Sequence, residues 1–182
     1  STASANSSTK NNAGDIDGLS ESERSFEMLL ETFINDSLIV DTIRDSIMDW
    51  IDDDSTPNNY GAEDADYESQ ARPYLSANSS LGHISELRLI NGVDLAIQVG
   101  SFQDLTKALC VIPGLNTLEI NVNTIPIENA VVLTALLGET SSIGADIIDI
   151  RGPEGFNDIQ DFLSLPEVQA LQLSPQRQQW FN

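Results

Sequence analysis

Asp49-Trp50-Ile51-Asp52-Asp53-Asp54-Ser55-Thr56-Pro57-Asn58-Asn59-Tyr60-Gly61-Ala62-Glu63-Asp64-Ala65-Asp66-Tyr67 places seven carboxylates within nineteen residues, and no Lys or Arg occurs between Arg44 and Arg72. Like charges at this spacing repel, so an ordered segment of this kind needs a counter-charge. A hard divalent cation with a preference for oxygen, above all Ca²⁺, answers that need. Counted from Asp52, acidic side chains fall at positions 1, 2, 3, 12, 13 and 15. Asp52, Asp54, Thr56 and Glu63 meet the oxygen spacing of an EF-hand, but Pro57 stands where that loop requires glycine. Read from composition, the segment is either a non-EF-hand cation site or a solvated acidic connector. Zinc lacks its usual ligands, since the chain has one cysteine and one histidine.

The chain around this loop has the size of one ordinary domain, with 182 residues and 40% hydrophobic content. Its 29 acidic and 8 basic residues give a net charge of −21. That balance excludes binding along a nucleic-acid backbone, which draws its affinity from Lys and Arg, and disfavours an anionic membrane surface. Cys110 is the only cysteine, so no intrachain disulfide can form, and its apolar neighbours predict a small buried hydrophobe. No apolar run reaches the roughly 20 residues needed to span a bilayer.

Residues 1–18 are poor in apolar side chains and read as a flexible leader. Ser20 and Glu23 have the spacing of a capping box, followed by Phe26, Leu29, Leu30, Phe33 and Ile34 at helical intervals. Asn35-Asp36-Ser37 recaps the chain, and Val40, Ile43, Ile47, Trp50 and Ile51 form the face of a second helix leading into the acidic loop. The two should pack as an αα-hairpin. Further helices are predicted over 85–90, over 94–109 with a break at Gly100-Ser101, and over 127–137, 141–150 and 157–164. Short strands are predicted at 110–114 and 118–122. The fold class is mainly α, with one helical domain over 19–165 and a weakly patterned tail over 166–182. Trp50 reads as core, whereas Tyr74 and the pair Trp180-Phe181 are candidates for contacts with a partner or with sheet outside this chain.

The order of motifs adds a family resemblance. Asp49-Trp50-Ile51-Asp52 with Asp54 and Pro57, then Gly61-Ala62-Glu63-Asp64 and Tyr67, resembles the signature of the K-type minor pseudopilins of type II secretion. Pro73-Tyr74, Ala77-Asn78-Ser79-Ser80-Leu81, Ile84-Ser85-Glu86-Leu87-Arg88 with Gly92, and Ile120-Asn121-Val122-Asn123-Thr124 continue it in order. After Thr124 this chain has Ile125-Pro126 where the family usually has alanine.

The resemblance implies a helical calcium-binding domain inserted in a pseudopilin fold, with most of the pseudopilin sheet absent here. Its implied metal ligands are Asp52, Asp54, Glu63 and Asp64, with Asp49 and Asp66 as secondary candidates. It also implies partnership with the I- and J-type minor pseudopilins at the pseudopilus tip. The location would be the periplasmic face of the Gram-negative inner membrane, reached through an N-terminal anchoring helix absent from this soluble fragment. The Asn-Val-Asn-Thr element is also similar to helix–hairpin–helix modules, some of which bind DNA, but only Lys107 and Arg151 lie near it in sequence. The alternatives are a calcium-dependent periplasmic enzyme or a generic acidic interaction domain. The enzyme reading is the weaker, because the carboxylates cluster in one loop without a separate nucleophile or oxyanion element. Without a cation, mutual repulsion is expected to open the loop.

Overall fold

Ser20 caps the first helix in this computed structural model, which describes residues 18–111 and 118–182. Its hydroxyl accepts from the amide of Glu23 at 3.3 Å, and its own amide donates to the Glu23 carboxylate at 2.6 Å. This capping box starts α1 (Glu21–Phe33). The Asp36 carboxylate then accepts from the amides of Leu38 and Ile39 and starts α2 (Ser37–Ile51). The helices pack against each other as the expected hairpin. Val40, Ile43, Ile47 and Trp50 are buried, whereas Ile51, expected on the same face, is exposed at the end of the helix.

The acidic loop follows, closed by the single turn α3 (Asp64–Glu68). His83 caps a 3₁₀ helix, Ile84–Leu89, by accepting from the amide of Ser85 at 3.1 Å. The expected break in the next helix occurs at Gly100, whose φ of +81° separates α4 (Val93–Gln98) from α5 (Phe102–Ala108). The Ser101 hydroxyl donates to the carbonyl of Phe33 at 2.6 Å and fastens this break to the end of α1. Leu30, Ile43, Trp50, Tyr67, Val93 and Leu105 are central to the first apolar core.

A second core is built by α6 (Ala130–Leu136), α7 (Ile143–Arg151), α8 (Ile159–Leu163) and α9 (Pro166–Ala170), with Trp180 and Phe181 just after α10 (Pro175–Gln178). Gly144 allows α7 to approach α6, since a Cβ there would lie 2.2 Å from the carbonyl oxygen of Ala130. Helix α1 contributes Leu30 to the first core, packs against α2 and α5, and also packs against α6, which joins the two halves.

Several expectations change. Residues 166–182, read as a weakly patterned tail, carry two helical turns and bury Val168, Trp180 and Phe181 in the second core. Trp180 and Phe181 therefore fill this chain's own interior. Tyr74 likewise packs against the first core. The strand expected at 118–122 is reduced to one parallel bridge between Ile120 and Phe181, and residues 112–114 of the other lie outside the described residues. Cys110 is exposed, because α5 ends before it and it lies outside both cores. The leader expected over 1–18 falls, save for Gly18, outside the described residues. The architecture is mainly helical, as expected from the spacing of apolar residues.

Candidate metal centre

The last turn of α2 delivers Asp49 and Asp52 to the start of the loop. Asp52 takes an extended conformation at the helix end, so the chain turns away while its carboxylate remains beside α2. Two aspartate turns follow, with Asp52 Oδ1 accepting from the amide of Asp54 at 3.4 Å and Asp54 Oδ1 from that of Thr56 at 2.7 Å. A tight turn over 58–61 then sends the chain back towards α2. Glu63, just ahead of α3, turns its side chain inward and is 4% exposed.

One carboxylate oxygen from each of Asp52, Asp54 and Glu63 lies within 4.8 Å of the others. Glu63 Oε2 receives the Ser76 hydroxyl at 3.4 Å, but Oε1 is buried without a hydrogen-bond partner. Burial, followed by the negative charges of Asp49 and Asp52, raises the Glu63 carboxyl above its ordinary pKa, with Ser76 opposing the shift. An unsatisfied buried carboxylate oxygen is costly, and a cation beside it would remove that cost. An all-oxygen donor set with one orphaned buried oxygen fits a hard cation such as Ca²⁺, which also accepts carbonyls and water.

The other three predicted ligands lie outside this trio and accept hydrogen bonds from the protein. Asp64 Oδ1 accepts from the amide and hydroxyl of Ser76 at 2.9 and 2.7 Å, tying the start of α3 to the following extended segment. Asp66 Oδ2 accepts from the amide of Glu63 at 3.1 Å. Asp49 is 0% exposed and accepts from Asn58 and Ala62. The sequence-predicted set thus divides into a converging trio, Asp52, Asp54 and Glu63, and three carboxylates, Asp49, Asp64 and Asp66, that lie outside it and hydrogen-bond to residues 58, 63 and 76.

Sequence reasoning missed Ser76, Asn58 and Asp45. Asp45 lies one helical turn before Asp49, and that i, i+4 spacing of two acids on α2 was the available signal. Nothing in sequence marked Ser76.

Behind the loop, Tyr67 packs edge-on to Trp50 at 5.3 Å between centroids and stacks on Tyr74 at 5.2 Å. The Tyr67 hydroxyl accepts from the amide of Asn91, and that of Tyr74 donates to the carbonyl of Leu89. The aromatic trio fixes the loop's exit to the 3₁₀ helix. Arg151, considered above as a phosphate contact, instead donates to the carbonyls of Val122 and Ile125, both at 2.8 Å.

Comparison with known proteins places this arrangement in a lineage. Residues 6–114 match a family model described as "Type II secretion system (T2SS), protein K", and residues 120–181 match a second model so described. The chain belongs to the type II secretion system protein K family. Protein K of Klebsiella pneumoniae is 35% identical over 146 residues, covering 79% of this chain and 43% of that relative. Protein K of Dickeya chrysanthemi is 33% identical over 147 residues, covering 78% and 39%. The chain therefore spans less than half the length of these family members. A crystal structure of the GspK–GspI–GspJ complex from enterotoxigenic Escherichia coli contains the same fold. Its TM-score is 0.73 at 24% identity, over 87% of this chain and 54% of that one. Among the described residues of the present family member, no helix is long and apolar enough to cross a membrane.

Proposed function

We propose that this chain is the helical domain of a minor pseudopilin and that Ca²⁺ serves it as a structural ion. In this reading it acts at the tip of the pseudopilus, on the periplasmic side of the inner membrane. Its partners are the I- and J-type minor pseudopilins, and it is a structural component rather than an enzyme. Family membership and the fold shared with the GspK chain of a GspK–GspI–GspJ complex support the assembly role. The observation that carries the calcium reading is the convergence of Asp52, Asp54 and Glu63, with Glu63 Oε1 buried and unpaired. Those three residues would hold the ion, and the ion would supply the positive charge their mutual repulsion demands.

The cation would join the end of α2 to the start of α3, elements that are otherwise separated by a long polar loop. An ion bound only by the folded state adds roughly 2.7 kcal/mol when its free concentration is 100 times Kd. Thermal unfolding in millimolar calcium, in magnesium and in chelator tests this reading. Calcium alone is expected to raise the midpoint by several degrees, and Asp52→Ala with Glu63→Ala is expected to remove the rise. Superimposable curves for the unmodified chain would refute the calcium role. Co-purification of the full-length protein with the I- and J-type pseudopilins, or its failure, tests the partnership separately.

A further inference from the structure

Two carboxylates on α2 engage the returning limb of the acidic loop from beneath. Asp49 Oδ1 accepts from the backbone and side-chain nitrogens of Asn58 at 3.1 and 2.6 Å, and Oδ2 lies 3.2 Å from the same backbone nitrogen. The amide of Ala62 also donates to this carboxylate. One turn earlier, Asp45 Oδ2 accepts from the amide of Tyr60 at 3.1 Å, while its Oδ1 is 2.8 Å from Arg44 Nη2. Arg44 in turn reaches Glu27 on α1, so the anchor is braced across the helical hairpin.

Both acids are buried, and the i, i+4 spacing sets them on one side of α2. The limb passes so close that a Cβ at Gly61 would lie 1.7 Å from Asp49 Oδ2. Glycine is required here by proximity, since any side chain would expel the carboxylate from the position where it receives the amides. Both oxygens of Asp49 are occupied by protein donors, as is each oxygen of Asp45. Of the lone-pair sites a carboxylate offers, few are left for a cation.

We propose that Asp49 and Asp45 are positioning residues, not ligands: they fix residues 58–62 against α2 before any cation binds and so determine where Glu63 enters the cluster. This departs from the expectation that repulsion opens the whole loop in the absence of metal. The returning limb is held by charge-assisted hydrogen bonds to α2, and only the outgoing limb, through Asp52 and Asp54, responds to the ion. The last step, delivery of Glu63 to a cation, rests on the calcium reading above; the preorganisation of the limb does not.

Amide hydrogen exchange of the unmodified chain separates the two. In chelator, the amides of Asn58, Tyr60 and Ala62 are expected to exchange at least about tenfold slower than unstructured amides, because they open only with the loop–helix contact. Free exchange in chelator, with protection appearing only on addition of calcium, would overturn the proposal. Protection in chelator with no response to calcium would uphold it while refuting the calcium reading.

Calcium titration of variants supplies the second test. Asp49→Asn and Gly61→Ala are each expected to weaken calcium binding on the order of tenfold, the usual effect of disturbing groups that orient ligands, with the number of bound ions unchanged. Gly61→Ala removes no carboxylate but drives the limb and the Asp49 carboxylate apart, so the discriminating readout is the number of bound ions, which stays unchanged in both variants if Asp49 only positions the limb. Loss of a bound ion in Asp49→Asn while Gly61→Ala binds normally would make Asp49 a ligand and the proposal wrong.

Discussion

Glu63→Gln should stabilise this protein in chelator and remove most of its stabilisation by calcium. Without a cation, Glu63 is 4% exposed, its Oε1 has no hydrogen-bond partner, and Asp52 and Asp54 lie beside it. Leaving a buried polar or charged group unsatisfied costs about 1–3 kcal/mol. The amide removes the charge and offers its neighbours a donor, so relief of about 2 kcal/mol is expected. For a chain of this size each kcal/mol moves the midpoint by about 2–4 °C, giving a rise of about 4–8 °C in chelator. In saturating calcium the unmodified chain gains roughly 2.7 kcal/mol at 100 times Kd, and the variant, deprived of an anionic ligand, loses most of that increment. Circular dichroism melting of both proteins with and without calcium measures the effect as a calcium increment that is large in the unmodified chain and small in the variant. A lower midpoint for Glu63→Gln in chelator, or a calcium increment equal to that of the unmodified chain, would refute the assignment of Glu63 as the buried ligand.

Other expectations concern the cores. Phe162 is fully buried with its ring 5.1 Å from that of Phe181, and Phe162→Ala should cost about 3–5 kcal/mol by urea unfolding. Gly144→Ala drives a Cβ to 2.2 Å from the Ala130 carbonyl oxygen, so α6 and α7 must separate; a loss of about 1–3 kcal/mol is expected in the same assay. Burial raises the Tyr67 phenol from 10.0 to about 12. A folded value above the unfolded one means stability is retained below the unfolded value and lost as pH rises from there to the folded one. The unfolding free energy from urea titration should therefore fall more steeply between about pH 10 and 12 for the unmodified chain than for Tyr67→Phe, by up to about 1.4 kcal/mol per pH unit. Parallel pH profiles would contradict this.

Much of the fold was legible because local signals agreed with one another. Ser20 and Glu23 announced the first helix, Asp36 the second, and Gly100 the break between α4 and α5. The converging trio was legible from spacing, since Asp52, Asp54 and Glu63 sit where a loop that doubles back can bring them together. Which acids the backbone would consume was not. Asp49, Asp64 and Asp66 resemble the trio in composition, and only the paths of residues 58–62 and 76 distinguish them.

The C-terminal region misled for a different reason. The tail over 166–182 carries two prolines and little apolar periodicity, yet Pro166 and Pro175 each occupy the first turn of a short helix, where proline's missing amide would have no partner anyway. Cys110 misled because an apolar neighbourhood in sequence does not fix which side of the chain meets the core.

Helix α1 has a consequence for how the molecule divides. The two family models meet between residues 114 and 120, inviting the view of two separable modules. Yet α1 belongs to the first in sequence and packs against α6 of the second, and the hydroxyl of Ser174 donates to Glu21 at its first turn. A chain severed between Val111 and Leu118 would leave the later half without a wall and expose the α6 face that α1 covers. The modules that sequence comparison separates thus share an interface through one helix, and stabilisation of either is expected to delay the unfolding of both.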